Sequence, residues 1–216
     1  MSTPGPDRWV RVEAERVEGW LSRFADRHGP ATWTATPASV VVTGADGCVA
    51  ECVPPFPPLP DRADLPYGGL LEHVAADRRV GVLLVRLGGF AVGVFEGTRL
   101  VRSKVGSRQV HGRSSAGGWS QQRFARRREG QVKVALAAAA ETAAAHLLPE
   151  VDRLDAVVTG GDRRSLETVL ADVRLAPVRA LVVEGRLDVP DPRLSVLRAT
   201  PATFRAVRVR VAEAGH

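Results

Sequence analysis

The sequence predicts an α/β fold: a mixed sheet with helices packed on it, preceded by a small N-terminal helix-and-hairpin region. Three observations carry this expectation. The strand-like runs Val80 to Leu87, Phe90 to Phe95 and Arg99 to Val105 are separated by Gly88-Gly89 and by Glu96-Gly97-Thr98, the pattern of an antiparallel meander. After Ser120, which can cap a helix, an alanine-rich stretch places Ala125, Val132, Leu136, Ala139, Ala143 and Leu147 on one helical stripe. A strand at Asp155 to Thr159, a short helix at Ser165 to Val173 and a strand at Arg179 to Val183 follow. The order β-β-β-long helix-β-α-β implies a mixed sheet.

The N-terminal part reads separately. Trp9, Val12, Val17, Trp20, Leu21 and Phe24 fall near helical spacing, so one amphipathic helix is expected from Trp9 to Arg27, ended by His28-Gly29-Pro30. Ser39 to Val53 reads as a hairpin turning at Ala45-Asp46-Gly47. The run from Pro54 to Pro60 forces extended chain. It suggests an N-terminal region over 1–60 and a second domain over 61–216, the latter carrying a mobile arm at 106–119. A surface proline loop inside one domain accounts for the same residues equally well. Near the C-terminus, Val207, Val209 and Val211 alternate with Arg208 and Arg210, the period of a closing strand.

Charge singles out one segment. The chain has 30 Lys+Arg against 24 Asp+Glu, a net charge of +6. Between Arg99 and Lys133 stand ten basic residues and one acid, Glu129, so this window holds more positive charge than the whole chain. A single cationic patch on a mildly acidic body points to a local polyanion site. Arginine dominates over Lys104 and Lys133 throughout, a composition typical of GC-rich coding and of no functional weight. Two cysteines, Cys48 and Cys52, and five scattered histidines supply neither a thiol framework nor a metal quartet. The start lacks the apolar core of a signal peptide, and no apolar run reaches the length expected of a membrane span. A reduced cytoplasm is the expected setting.

Within the basic window, 106–120 is rich in Gly, Ser and Arg and has no periodicity, so it reads as a loop leading into the long helix. Arg123, Arg126 and Arg127 share a face of the first helical turns. Arginines beside unpaired backbone N–H groups at a helix start suit phosphate. A solvated helix face is the bland alternative, but ordinary exposed helices mix charge signs. Other candidates are weaker. Glu96 lacks companion carboxylates on the meander, Glu141 and Glu150 are expected to face solvent, and His111 with Ser114 or Ser115 lacks an orienting acid. Gly160-Gly161-Asp162 lacks the Walker lysine and the Rossmann spacing. His28, His73, His146 and His216 read as surface or packing residues.

The segment His111-Gly112-Arg113, followed by Gly117-Gly118-Trp119-Ser120-Gln121-Gln122-Arg123-Phe124-Ala125-Arg126-Arg127-Arg128, resembles the catalytic-domain signature of archaeal and eukaryotic class-one peptide chain release factors. In those proteins a His-Gly-Arg-Gly-Gly-Gln-Ser segment runs into an Arg-Phe-Ala-Arg helix. The resemblance extends from about Val80 to Ala199 and is closest to the actinobacterial-type Vms-like branch, related to a eukaryotic ribosome-quality-control hydrolase. It implies the release-factor catalytic-domain fold, of ribonuclease-H-like type. It further implies cleavage of the peptidyl-tRNA ester, freeing nascent chains on stalled or split large (50S) ribosomal subunits. No metal or organic cofactor is implied, nor DNA or membrane binding, and a monomer is expected. With no stop-codon-reading domain visible, codon-dependent termination is not expected.

The resemblance assigns RNA binding to Arg113, Gly117, Gly118, Trp119, Ser120, Arg123, Arg126 and Arg127. It also marks a departure, because Trp119 stands where the class-one release factors carry their glutamine directly after Gly-Gly; Vms-like members depart here too, with their glutamine in a Gly-Ser-Gln context. Gln121 and Gln122 are the candidate catalytic amides, with Gln109 on the other side of the arm a third. Two rivals stay open at this point. One is a non-catalytic ribosome- or tRNA-binding quality-control factor, which Trp119 favours; the other is a generic RNA-binding module of unrelated fold.

Overall fold

A computed structural model describes residues 8–86, 89–107 and 119–212, the side chains of 8 and 119–128 excepted. The chain divides into two compact units: Met1–Ala76 with Pro201–His216, and Asp77–Thr200. The proline run therefore lies inside the first unit, and the boundary suggested near residue 60 falls at Ala76. Leu59 explains this: it is buried, and its N–H donates to the Pro37 carbonyl at 2.7 Å. His73 Nε2–H likewise donates to the Pro55 carbonyl at 2.8 Å, holding the prolines against the unit.

The first unit is a sheet with α-helices packed on one face through a common core. Its strands are β1 (Arg8–Val12), β2 (Thr32–Ala35), β3 (Val40–Thr43), β4 (Val49–Val53) and β9 (Val207–Ala212), all antiparallel in the order β1-β9-β4-β3-β2. The helix α1 (Val17–His28) buries Val17, Leu21 and Phe24, one stripe at helical spacing, onto Val40, Val42, Val207 and Val209. Short α2 (Leu70–Ala75) adds Leu70 and Val74 to that core, and α7 (Pro201–Phe204) leads into β9. The helix expected from Trp9 thus begins eight residues later, at Val17. Trp9 to Val12 alternate exposed and covered positions and pair with β9, so period two won over an accidental helical spacing.

The second unit holds the predicted mixed sheet. The meander β5 (Arg79–Arg86), β6 (Gly89–Glu96) and β7 (Arg99–Ser107) is antiparallel, and β8 (Ala156–Gly161) runs parallel to β5, giving the order β7-β6-β5-β8. Between β7 and β8 runs α3 (Trp119–Leu147), which lays Ala139, Ala140, Ala143 and Leu147 on Leu83, Val85, Val92 and Val94. Alanines at these positions let the helix backbone approach the sheet closely. By length and composition, Glu129–Arg153 is apolar enough to cross a membrane, contrary to the sequence expectation, but its buried alanines pack in this core.

The remaining helices are α4 (Arg163–Leu170), α5 (Ala176–Ala180) and α6 (Leu194–Ala199). Leu166, Val169 and Val178 join the same core from α4 and α5. The strand expected over Arg179 to Val183 is mostly absent. Pro177 in the first turn of α5 starts a helix there, and only Val182 forms a parallel bridge, to Val157. The closing valine–arginine strand exists as β9, but it completes the sheet of the first unit.

Candidate nucleic-acid interface

The basic window spans β7, the arm and the start of α3, and the structure distributes its ten cations unequally. Arg99 and Arg102 sit toward the hairpin end of the sheet. Arg99 donates to Glu96, which also accepts from Arg79. Arg79 reaches Glu150 as well, Nη2 to Oε2 at 2.8 Å, while Arg102 lies 3.9 Å from Glu150 and donates to the Ala145 carbonyl at 3.3 Å. Two carboxylates therefore serve four guanidiniums here, counting Arg153 at 3.9 Å from Glu150. The hydrogen bond from Arg79 holds the Glu150 carboxyl below its ordinary range, and the same bond raises Arg79. Glu150 was expected to face solvent; its side chain is only 15% exposed, because it buries beside these arginines.

Arg99 and Arg102 are thus engaged by carboxylates. Lys104 on edge strand β7 and Lys133 on α3 are exposed and carry no ion pair among the described residues. The other six cations are Arg108 and Arg113, outside the described residues, and Arg123, Arg126, Arg127 and Arg128, of which the helical backbone alone is described. Arg113, Gly117, Gly118 and Gln109, assigned to RNA binding or catalysis from sequence, also lie outside the described residues.

For the rest of the candidate site, the backbone gives register. Helical geometry begins at Trp119, so the cap expected at Ser120 falls within the first turn, and Ser120 is not the residue that starts the helix. Trp119, Ser120, Gln121 and Gln122 occupy the first turn, where backbone N–H groups have no intrahelical acceptor. Arg123 and Arg127 stand one turn apart, with Arg126 between them at the i+3 position. This end of α3 carries the positive pole of the helix dipole, and a run of arginines adds to it. Such an arrangement favours an anion, and it brings both candidate glutamines to the same turn.

The base of the arm is set by β6, β7 and α3. Gly106 on β7 has no room for a side chain, since a Cβ there would come 2.3 Å from the Phe90 ring. Between this point and Val132 and Leu136 of α3 lies a mostly apolar cavity of about 160 Å³. The helix therefore contacts the sheet closely at its C-terminal half and loosely where it leaves for the arm.

With that geometry in place, the comparisons decide the family. Residues 78–210 match the model of the Actinobacteria/chloroflexi VLRF1 release factor family. The chain belongs to that family. The family is one of release factors, proteins of translation. Among solved structures, the archaeal translation termination factor aRF1 is similar with a TM-score of 0.43 and 14% identity. That alignment covers 76% of this chain and 51% of the archaeal factor, so the chain spans about half of the latter's length. A structure described as an archaeal protein gives a TM-score of 0.41 at 12% identity, covering 94% and 68% of the two chains. No curated protein matches the sequence.

Neither Asp162 nor Glu150 was recognised from sequence as a structural anchor of this unit. Asp162 Oδ2 accepts from the Ser165 N–H at 2.9 Å and from its hydroxyl at 2.6 Å, capping α4 and lowering the Asp162 carboxyl below its ordinary range. The Asp-x-x-Ser spacing was the available signal. Among the described residues, no group of His, Cys, Asp or Glu could hold a metal ion.

Proposed function

We propose that this protein hydrolyses the ester between a nascent peptide and tRNA on the large ribosomal subunit, freeing chains from stalled or split ribosomes in a reduced cytoplasm. The observation that carries the reading is the Gly117-Gly118-Trp119-Ser120-Gln121-Gln122-Arg123-Phe124-Ala125-Arg126 run, which enters α3 inside the region matched to the release-factor family.

The chemistry follows from what the residues offer. Peptidyl-tRNA is an activated ester, and its hydrolysis needs a water held in line with the carbonyl. Glutamine is neutral and a poor base, so its amide orients the water or donates to the developing oxyanion. Arg123, Arg126 and Arg127 bind RNA phosphates and fix the position of the helix start, without reading sequence. Gly117 and Gly118 admit close backbone approach to RNA, where a Cβ would clash. Trp119, directly after them, has a ring suited to stacking on a base. Gln121 and Gln122 are the candidate amides, Gln109 the third. The protein acts as a monomer, and neither metal nor organic cofactor enters the reaction.

One observation favours a second reading, a non-catalytic binder of ribosomes or tRNA: Trp119 occupies the position at which the class-one release factors that this segment resembles carry their glutamine. The test compares Gln121→Ala, Gln122→Ala and Gln109→Ala with Arg123→Ala, measuring both subunit binding and peptide release. The hydrolase reading expects one glutamine variant to bind normally and release at least a hundredfold more slowly, in line with loss of an oxyanion or water-orienting donor. Arg123→Ala is expected to weaken binding. Release indifferent to all three glutamines would contradict the assignment.

A further inference from the structure

In the first unit α1 and α2 cover one face of the sheet, and no described residue of either reaches its other face. On that other face, the strand registers align Trp9 with Arg210 and Arg11 with Arg208 across β1 and β9. On the far side of β9, Arg210 is opposite Glu51 and Arg208 is opposite Val53 of β4. Arg208 therefore lies between an arginine and a valine, with no carboxylate in either neighbouring position. Glu51 binds Arg210 at 2.8 Å and is the single acid among the described strand residues of this face.

Like charges directly opposite on neighbouring strands destabilise a sheet. An arginine on an edge strand such as β1 is explained by protection of that edge against pairing with other chains. The explanation does not reach Arg208, which sits on β9, the second strand in. Trp9 is the other anomaly. It is 51% exposed, and the guanidinium carbons of Arg208 and Arg210 stand 5.7 and 5.9 Å from its ring centroid. Two cations thus fix an exposed indole on a positively charged surface.

We propose that this face is a second RNA-binding surface, one that takes single-stranded RNA by stacking a base on Trp9 and seating phosphates on Arg11 and Arg208. Cross-strand partners lie ~5 Å apart and alternate residues along a strand ~7 Å apart. The cluster therefore matches a footprint of one to two nucleotides. An exposed aromatic beside unpaired cations is the arrangement that sheet surfaces use to hold unpaired bases. A duplex offers no free base to the indole. An anionic membrane would be drawn to the same charge and its interface also accepts indole rings, so vesicles form one arm of the test.

The surface belongs to the first unit and the start of α3 to the second, and the experiment tests the two independently. Full-length protein would be titrated with a short fluorescein-labelled single-stranded RNA over a range of salt, in the wild-type background and in one carrying Arg123→Ala, Arg126→Ala and Arg127→Ala. In both backgrounds Trp9→Ala is expected to weaken binding by about tenfold, while Trp9→Phe retains most of the affinity. Arg11→Ala is expected to reduce the slope of log affinity against log salt by roughly 0.7. Should Trp9→Ala lower the melting temperature, Arg11→Ala carries the test, since Arg11 is exposed and has no described partner. Unchanged affinity and slope in these variants would overturn the proposal. So would equal loss in Trp9→Phe, equal binding of an RNA duplex, or a Trp9 effect seen with vesicles of anionic phospholipid and not with RNA.

Discussion

At the residue scale, Asp162 decides how the Gly160-Gly161-Asp162 turn is read. A glycine pair between strand and helix is a common place for a phosphate, but here the start of α4 is satisfied by the protein's own carboxylate. The glycines serve the backbone: Gly161 has φ +101°, and a Cβ there would lie 2.2 Å from the Val85 carbonyl oxygen. Asp162→Ala is expected to cost about 1 kcal/mol of stability at neutral pH, measured by urea denaturation. Because the folded state lowers the Asp162 pKa, the carboxylate's contribution is present above the ordinary aspartate value of 3.8. It is lost as pH falls through the lowered value, so the difference between wild type and variant should shrink in acid. The sequence showed that this turn lacks the marks of a nucleotide loop, while the cap itself went unread because Asp and Ser are common in any turn.

At the element scale, α3 is where sequence and structure agree most. Its apolar stripe was legible, since Ala139, Ala143 and Leu147 are fully buried on the sheet. Its local charge was harder to read. Counting cations along the chain merged Arg99 and Arg102 with the arm, yet both are drawn into contacts with Glu96 and Glu150, carboxylates distant in sequence from at least one partner. Helical periodicity also misled at Trp9 and Val12, where four residues are too few to separate the two periods. The uneven packing of α3 gives a paired prediction. Ala143→Leu, set in the close-packed half, should destabilise by about 1–3 kcal/mol. Ala135→Val, beside the cavity at the arm base, should be tolerated within about 0.5 kcal/mol; thermal melts of the two variants provide the comparison.

At the scale of the whole molecule, each unit has its own core, and β9 belongs to the first although it comes last in sequence. The valine–arginine alternation disclosed the strand but not its partners, because pairing between β1 and β9 spans almost the entire chain. Ending the chain after Thr200 removes the strand between β1 and β4. Hydrogen exchange on such a protein is expected to show lost protection across β1 and β4, with β5, β6 and β8 still protected. Uniform loss would mean that the units do not fold separately.

Ester hydrolysis is tested most directly by release of labelled peptide from peptidyl-tRNA bound to purified large ribosomal subunits. Rapid release is expected from the wild-type protein, with its loss in one of Gln121→Ala, Gln122→Ala or Gln109→Ala while subunit binding stays intact. Tight subunit binding without release above the spontaneous rate would contradict hydrolysis and identify a binder in which Trp119 has replaced the catalytic amide.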